Sequence, residues 1–389
     1  MNRDLKWTEG NELKYLKEVL ENKHKSNPFC DRLERAIAEK YGVEYAISVN
    51  SGTSGLHAAL VACGIGFGDQ VITSPFTVFV DGSMPIMVGA EPVFADVEYD
   101  THNIDPKDVE SLITDDTKAI MPISYHGCPY DIDSIMSIAK KHNLFVIEDD
   151  AQAMIAEYDG RYVGKDADIT MLSFERTKHV ACGEGGMLLT NNPVLAERAR
   201  KFAGMGFKNL KADTNEMSAT TPLSFQDPHY KRNDSLGLNY RLPEFCAAVA
   251  LAQFERVEEK VKLRRDIAEL YDNIFNKYKD IFEPQKIPGY SKSSYFTYPV
   301  KTDFTRKEWM QFHDFIVKQG GDDFYGGMGI VYEEPYFVSQ GYYRIWKGKC
   351  PIAELIQRGL IQFKTNYRTI SEAKKNIDRL EELINIWVS

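Results

Sequence analysis

Short apolar runs alternate with helical patterns between about residue 30 and residue 250. In α/β proteins, runs of this kind form the buried strands of a largely parallel sheet, and the segments between them form helices that cover the sheet. Six runs are predicted to be strands: QVITS (70–74), EPVFADV (91–97), KAIMPISY (118–125), LFVIED (144–149), ITMLSF (169–174) and GGMLLT (185–190). The pattern therefore predicts an α/β domain.

Two segments of this domain carry apolar residues at the i, i+3, i+4, i+7 spacing of a helix face. One stripe consists of Leu56, Ala59, Leu60 and Cys63. It predicts a helix that begins near Thr53. The other stripe consists of Ile132, Ile135, Met136 and Ala139.

The C-terminal part of the chain shows a different pattern. A long, highly charged helix is predicted from Pro243 through FERVEEKVKLRRDIAELYDNIF (254–275), as a connection into a second domain. Beyond it, the strand YFTYPV (295–300), an amphipathic helix at 305–318 and a last helix near 371–387 predict a smaller α+β domain.

These patterns divide the chain into three parts. An N-terminal helical segment (1–27) is expected to pack with the small domain, followed by a large domain (28–255) and a small C-terminal domain (256–389). The polar stretch 206–236 is too long for an ordinary loop. It is a flexible excursion, a lid, or an arm that reaches a neighbouring subunit.

Composition narrows the classes of function. The 389 residues are 43% hydrophobic and 27% charged, with a formal net charge of −10, which argues against nonspecific binding to nucleic acid or to an anionic membrane. The chain shows no signal-peptide pattern and no apolar run long enough for a bilayer, so we expect a cytoplasmic location. The six cysteines form no CxxC pair, so no metal site is predicted, and most are expected to be small buried residues.

Two segments carry candidate ligand-binding groups. In SGTSGLHAALVACG (51–64), hydroxyl residues and glycine precede a helix, and the free N–H groups there can bind a phosphate or can simply be capped. In LFVIEDDAQA (144–153), a strand ends in Glu148, Asp149 and Asp150, followed by Gln152. Ligands bind at the carboxyl ends of strands in open parallel sheets, where an acid can hold a metal, a ribose or a protonated ring nitrogen. Solvated loop acids are the alternative.

The segment SFERTKHVACGEGG (173–186) follows the strand ITMLSF and centres on Lys178. Most lysines are solvated surface charges. A lysine that forms a Schiff base must instead be neutral part of the time, which requires a pKa shift of roughly 3 units, or about 4 kcal/mol. Burial and a neighbouring cation such as Arg176 would both lower the pKa. A phosphate cradle, an acid for a pyridinium nitrogen and a lysine for an aldehyde are together the groups that bind pyridoxal 5′-phosphate (PLP).

Four motifs resemble those of the DegT/DnrJ/EryC1/StrS sugar aminotransferases, PLP-dependent enzymes of the aspartate aminotransferase superfamily. They are SGTSGLHAAL, EDDAQA, SFERTKHVACGEGG and LGLNYRLPEFCAAVALAQ (236–253). The resemblance is clear over residues 28–255. It implies fold type I, an α/β architecture in which a large domain with a mostly parallel, seven-stranded sheet is followed by a smaller α+β domain.

The resemblance also implies roles for individual residues. Lys178 would be the Schiff-base lysine and proton carrier, Asp149 would pair with the pyridine nitrogen, and Gln152 would contact the ring hydroxyl. The phosphate would be held by Gly52, Thr53, Ser54 and Ser173, and by Asn239 of the partner subunit. That last contact implies a homodimer with shared active sites. Arg241 is at least as well explained by a structural ion pair, and Arg176 and His179 stay unassigned.

Two positions depart from the family pattern. Val78 stands where the family has an aromatic residue that stacks on the cofactor ring, so either a shifted Phe79 stacks there or an aliphatic side chain covers the ring. Asp150 stands where the family has Cys or Ala. A second buried charge beside the cofactor would be costly, so Asp150 is expected to be paired or to face away.

The implied activity is transfer of an amino group from L-glutamate to a keto-sugar, nucleotide-linked, in surface polysaccharide or glycoconjugate biosynthesis. Because GGDDFYGGMGIVYEEPYF (320–337) departs from the family and would line the acceptor side, a keto-inositol or a small phosphorylated ketone such as dihydroxyacetone phosphate is the alternative acceptor. A sugar dehydratase that uses the amine form of the cofactor (PMP) has histidine in place of Lys178. An NAD-dependent oxidoreductase would need a GxGxxG fingerprint, and a PLP-binding regulator would need a DNA-binding domain.

Overall fold

The computed structural model describes residues 9–23, 28–213 and 227–389. Parts of two predicted segments therefore lie outside the described residues. These are 1–8 and 24–27 of the N-terminal segment, and 214–226 of the polar stretch. The described ends of that stretch meet, because Phe207 and Asn233 form an isolated antiparallel bridge and the Asn233 side chain donates to the Met205 carbonyl oxygen at 2.6 Å.

Nine strands lie in the part of the large domain that the structure describes: β1 (Tyr45–Val49), β2 (Gln70–Thr73), β3 (Glu91–Phe94), β4 (Thr117–Met121), β5 (Phe145–Asp149), β6 (Glu157–Tyr158), β7 (Arg161–Tyr162), β8 (Ile169–Ser173) and β9 (Gly186–Thr190). Seven of them form one sheet in the order β1-β9-β8-β5-β4-β2-β3. Strand β9 is antiparallel to both neighbours, and the other described pairings are parallel. All six predicted strands are confirmed, and β1 was missed.

The described residues of the same part of the chain form eight α-helices: α1 (Glu12–Leu20), α2 (Phe29–Tyr41), α3 (Gly52–Ala62), α4 (Phe79–Met87), α5 (Pro106–Ser111), α6 (Ile132–His142), α7 (Pro193–Ala203) and α8 (Glu244–Phe254). Successive strand residues face opposite sides of a sheet. Accordingly, Leu188 packs in the core that α3 and α7 cover, whereas Met187 and Leu189 pack in the core that α2 and α8 cover. The predicted fold, an α/β fold with helices on both faces of a mostly parallel sheet, is confirmed.

The C-terminal part contains α9 (Val257–Phe275), β10 (Glu283–Pro284), β11 (Ser291–Lys292), β12 (Thr297–Lys301), α10 (Arg306–Lys318), β13 (Tyr325–Gly326), α11 (Pro335–Ser339), α12 (Tyr342–Trp346), α13 (Pro351–Gly359), β14 (Ile361–Lys364) and α14 (Ile370–Val388). A four-stranded sheet, β10-β12-β14-β13, packs with α10, α14 and the second half of α9 around an apolar core of its own. This is the predicted α+β arrangement.

Residues 330–360 of this part return to the large domain. Ile330, Val331 and Trp346 belong to the large-domain core, and the Val331 N–H donates to the Pro75 carbonyl oxygen at 2.9 Å. The Asp96 carboxylate accepts from the N–H groups of Ile352 and Ala353 at the start of α13. Residues 330–360 therefore contribute to the large-domain core, whereas the rest of the C-terminal part has its own core. The division of the chain into two domains at 255/256 stays a prediction.

The N-terminal helix α1 packs on the large-domain side, whereas we expected it against the small domain. Tyr15 and Val19 lie in the same core as α2 and α8. The Tyr15 hydroxyl donates to Glu255 at 2.6 Å, and Arg256 pairs with Glu12 at 3.2 Å. The cause is the apolar side of α1, which covers the alanine-rich surface of α8.

The single long helix predicted after Pro243 is instead two helices. The chain leaves helical geometry at Arg256, where φ is −116° and ψ is 17°. Helix α8 serves the large-domain core, and α9 runs on into the small-domain core. Charge and periodicity continue across the break, so the sequence pattern did not reveal it.

Across the part of the chain that the structure describes, no helix combines the length and the apolar character that a membrane span requires. All six cysteines are free, and five of them are buried, as predicted.

A buried ion pair ties α2 to α7 and provides a test of the fold. Arg200 bonds Glu34 at 2.9 Å, and Glu34 also accepts from the backbone and the hydroxyl of Ser48, both at 2.7 Å. Glu34→Ala leaves a buried guanidinium without this partner, so we expect the free energy of unfolding to fall by about 3–5 kcal/mol in urea titrations. Asp266→Ala, which removes an exposed pair with Lys262, is the control and should change it by less than about 1 kcal/mol. Equal effects would contradict the prediction.

Candidate active site

The carboxyl ends of β1, β5 and β8 meet at one edge of the sheet and form the floor of a cavity. All three strands run in the same direction, because β1 and β8 are both antiparallel to β9, and β5 is parallel to β8. The cavity has a volume of about 790 Å³. Its lining includes most of the sequence-predicted site residues: Gly52, Thr53, Asp149, Gln152, Ser173 and Lys178. Three segments that are distant in sequence therefore converge on one site.

The start of α3 forms one wall. The Ser51 hydroxyl caps the helix by accepting from the Ser54 N–H, and the Ser51 N–H in turn donates to the Ser54 hydroxyl oxygen. This reciprocal capping box occupies the predicted phosphate ligand Ser54, which does not line the cavity. The first-turn N–H groups of Gly52 and Thr53 have no acceptor inside the helix. Those two amides and the positive end of the helix dipole are suited to an anion.

Gly52 and Gly186 allow this helix start to pack closely on the sheet. A Cβ at Gly186 would lie 2.9 Å from the Ser51 carbonyl oxygen and 3.0 Å from the Gly52 nitrogen. The missing side chain at Gly186 gives clearance for backbone, because β9 passes directly beneath the start of α3.

Asp149, at the end of β5, is buried and faces the cavity. One of its oxygens accepts from the Ala151 N–H at 2.8 Å. Burial raises the pKa of Asp149, while the contact with a second buried carboxyl group, Asp81, and the nearby Lys178 act to lower it. The sequence analysis missed Asp81. The signal was a single acid between Val80 and Gly82 in an otherwise apolar helix.

Asp150, the third consecutive acid at this strand end, is buried but does not line the cavity. It lies beside Glu148, and burial together with that neighbour raises the pKa of Asp150 well above its usual range. Burial raises the pKa of Glu148 to about 7. The two acids are therefore turned away from the cavity, the orientation that we expected for Asp150.

Lys178 lies between acidic groups and an aromatic ring. Its Nζ is 4.5 Å from the ring centroid of Phe296, a residue that the sequence analysis treated only as part of a strand. Burial lowers the pKa of Lys178, while Asp149, Glu175 and Asp81 act to raise it. The cation that assists the lowering is Arg264. Arg176, which we expected in that role, points into solvent beside Glu175, and its side chain is 72% exposed.

Gln152 and the segment 78–80 complete the large-domain side. The Gln152 amide oxygen accepts from the His126 N–H at 2.8 Å, which fixes its orientation. Val78 and Val80 line the cavity. Phe79, predicted as a cofactor ligand, does not, because its ring turns outward against Tyr336 and Phe337. Of the two expectations for ring stacking, the aliphatic cover by Val78 is the one that the geometry allows.

Three other residues of the motifs lie away from this cavity. Asn239 is exposed and accepts from the Arg241 side chain at 3.0 Å. His179 is buried against the Ser294 carbonyl oxygen at 3.0 Å.

The C-terminal part of the chain supplies the opposite wall. Its lining residues are Phe296, Thr297, Tyr325, Gly326, Gly327, Met328 and Gln362. Thr297 donates to Gln362, and Gln362 donates to the Gly326 carbonyl oxygen at 2.6 Å, so these side chains hold the wall together. Tyr325–Met328 come from the segment expected on the acceptor side.

The residues present fit pyridoxal phosphate. They offer amide and hydroxyl donors for a phosphate, a buried carboxyl group for a ring nitrogen, and a partly buried lysine, whose pKa is lowered by its burial, for an aldehyde. Within the described ranges, no group of three or more His, Cys, Asp or Glu side chains is arranged to hold a metal ion.

Comparison with known proteins gives a consistent result. Residues 7–377 match the model of the DegT/DnrJ/EryC1/StrS aminotransferase family. The GDP-perosamine synthase of Escherichia coli O157:H7 is 35% identical over 279 residues, which are 71% of this chain and 72% of that protein. The spore coat polysaccharide biosynthesis protein SpsC of Bacillus subtilis is 36% identical over 72% of this chain and 67% of its own length.

Among solved structures, an aminotransferase from Psychrobacter cryohalolentis superimposes with a TM-score of 0.84 and 27% sequence identity, covering 96% of both chains. This agreement extends through the C-terminal part, where the sequence motifs are weakest.

The lowered pKa of Lys178 predicts a pH-dependent effect on stability. Between the folded pKa and the ordinary 10.5, the unfolded chain binds more protons than the folded protein, so the stability of the cofactor-free protein rises with pH in that window. Lys178→Met removes this partly buried charge. We expect its stability advantage over wild type to be largest below the folded pKa and to narrow toward pH 10.5.

Urea unfolding of the cofactor-free proteins at a series of pH values measures this difference. Lys262→Met, at an exposed site, is the matched control and should show no such narrowing. A Lys178→Met advantage that is independent of pH would rule out burial of a titrating amine.

Proposed function

Because this chain belongs to the DegT/DnrJ/EryC1/StrS aminotransferase family, whose members are PLP-dependent, we propose that it transfers an amino group from L-glutamate to a nucleotide-linked keto-sugar. The named relatives include a GDP-perosamine synthase and a spore coat polysaccharide biosynthesis protein, which supports a sugar acceptor in surface polysaccharide or glycoconjugate synthesis. The observation that carries the proposal is the convergence of Lys178, Asp149, the α3 start and Ser173 on one cavity.

Lys178 is proposed to bond the cofactor aldehyde and then to move the proton. Bound PLP supplies an aldehyde that takes up the amino group and a ring that accepts electrons when the adjacent C–H proton leaves. Burial favours the neutral amine of Lys178, the form that attacks an aldehyde and accepts a proton. A histidine at this position, as in the dehydratases, would lack that function.

Asp149 is proposed to hold the ring nitrogen in its protonated form. A carboxylate in a buried site stabilises an adjacent positive charge more strongly than one in water. The Ala151 N–H fixes one Asp149 oxygen, so the carboxylate is already oriented before a ligand arrives. Oriented charge of this kind needs no rearrangement during the reaction.

The phosphate is proposed to lie at the start of α3, on the amides of Gly52 and Thr53 and the Ser173 hydroxyl. Ser54 supports the helix start through its capping box. The Gln152 amide oxygen is occupied by the His126 N–H, so its NH₂ group is the one available to the ring hydroxyl. Val78 is proposed to cover the ring.

The acceptor is proposed to bind against Tyr325–Met328. This wall combines two glycines with one aromatic and one thioether side chain. It offers apolar contact area and no charged side chain of its own. The choice between a nucleotide-linked sugar and a smaller ketone therefore depends on groups outside this wall.

Absorption spectroscopy tests the reaction. We expect the purified enzyme with PLP to lose its visible absorption when L-glutamate is added and to regain it when a nucleotide-linked 4-keto-6-deoxysugar follows. Lys178→Ala should show neither change. Asp149→Asn should bind the cofactor but slow the glutamate step by at least about 100-fold, the scale of a lost electrostatic contact in an active site.

Parallel reactions with dihydroxyacetone phosphate and a keto-inositol identify the acceptor. If the visible absorption recovered only with dihydroxyacetone phosphate or the keto-inositol, the acceptor would be a small ketone and not a nucleotide-linked sugar. Absorption that does not respond to L-glutamate in the wild type would reject glutamate as the donor.

Mixed dimers test the shared site. If Asn239 of the partner subunit completes each phosphate site, Lys178→Ala and Asn239→Ala subunits combined in one dimer carry both changes in one site and neither in the other. We expect each pure variant to be impaired and the mixed dimer to regain about half of the wild-type activity per dimer. A mixture with no regained activity would place Asn239 in its own subunit's site.

A further inference from the structure

Asp81 is a fully buried acid in the first turn of α4, and the proposed cofactor contacts give it no role. Its exposed fraction is 0%. The Thr77 hydroxyl donates to one of its oxygens, and the other oxygen, Oδ1, receives no hydrogen bond from any residue that the structure describes. The carboxyl group of Asp149 is within hydrogen-bonding reach. Asp81 does not itself line the cavity.

Two carboxylates in contact and away from water cannot both be ionised, because their repulsion is strong where water does not screen it. The groups that face Asp81 are Thr77 on its own segment, Asp149 at the end of β5, Lys178 after β8, and Tyr125 after β4. Among these described groups only Lys178 is cationic, and it is the amine that bonds the cofactor aldehyde under the proposed function. The pair of acids therefore needs a shared proton.

The surroundings decide which acid holds it. Asp149 accepts from the Ala151 N–H and faces the cavity, so its charge is stabilised and can meet a ligand. Asp81 has one neutral donor and an oxygen that lacks any donor, a position that suits the O–H of a carboxylic acid. Burial and then Asp149 raise the pKa of Asp81 well above its usual range. Burial raises the pKa of Asp149 as well, but there the hydrogen bond from Asp81 and the Ala151 N–H act against the rise.

We propose that Asp81 is a positioning residue that stays protonated at neutral pH and donates the hydrogen bond that holds Asp149 as an oriented carboxylate. The proposal rests on the proposed function, in which Asp149 pairs with the ring nitrogen. It assigns Asp81 a role through Asp149 rather than a contact with substrate or cofactor. In this arrangement the neutral Asp81 supports Asp149, which must remain charged to pair with the ring nitrogen.

Cofactor affinity as a function of pH tests the role. Asp81→Asn keeps both hydrogen bonds, because its amide can accept from Thr77 and donate to Asp149. We expect its dissociation constant for PLP, measured by titrating the cofactor-free protein, to stay within about twofold of wild type. Asp81→Ala removes the donor. Affinity should fall about tenfold at neutral pH, the scale of a hydrogen bond to a charged group, and the acid limb of the profile should move to higher pH.

Asp150→Asn is the matched control, since it neutralises another buried acid of the same region that does not line the cavity, and it should leave the acid limb in place. Infrared difference spectra of the cofactor-free proteins provide a second readout. Wild type minus Asp81→Asn should show a protonated carboxyl band at neutral pH. This measurement remains decisive if Asp81→Ala does not fold.

The proposal would be overturned if the infrared difference spectrum showed a carboxylate band in place of the protonated carboxyl band. It would also be overturned if Asp81→Asn and Asp81→Ala weakened PLP binding equally. Asp149→Asn separates it from the proposed function. If Asp149→Asn weakens cofactor binding and Asp81→Ala does not, only the role of Asp81 fails. If Asp149→Asn has no effect while the infrared band is present, the role of Asp149 fails and the protonation of Asp81 stands.

Discussion

Strands β1, β5 and β8 run in the same direction and end at the same edge of the sheet, and the cavity exists only because of that alignment. A parallel sheet exposes the carboxyl ends of its strands along one edge, where the chain must turn and where backbone N–H groups at helix starts are free. Here the turns bring the α3 start, a carboxylate and a lysine together. Gly186 is the condition for this closeness, because any side chain there would meet the backbone of the α3 start.

The sequence predicted what local patterns determine. The apolar runs identified six of the seven sheet strands, and the helical stripes at Leu56 and Ile132 are buried as expected. Asp149, Ser173 and Lys178, which the motifs singled out, lie on one cavity because residues after parallel strands meet at one edge. What failed depended on side-chain direction. Phe79 is adjacent in sequence to two cavity residues, yet the first turn of α4 carries its ring outward.

Contacts between distant segments were also beyond the reach of pattern. Asp81 bears on the site only because Asp149, at the end of β5, lies beside it, and the sequence of α4 does not indicate that contact. Arg176 is next to the lysine segment in sequence but points into solvent, whereas Arg264, from a helix of another segment, is the cation that acts on Lys178. The electrostatics of this site therefore depends on tertiary packing, because the pKa of the partly buried Lys178 is set by Asp149, Asp81 and Arg264, which come from distant segments.

The return of residues 330–360 to the large-domain core has a consequence for domain closure. Val331 is bonded to Pro75, and Asp96 holds the start of α13, so this stretch is anchored to the large domain. Any rotation over a bound substrate would then involve only the smaller body formed by the second half of α9 with α10, β12, β14 and α14. That body joins the anchored stretch through short connections, next to Tyr325–Met328 and at the start of β14. A closing motion would thus reshape the acceptor wall directly, coupling substrate fit to the angle between the two bodies.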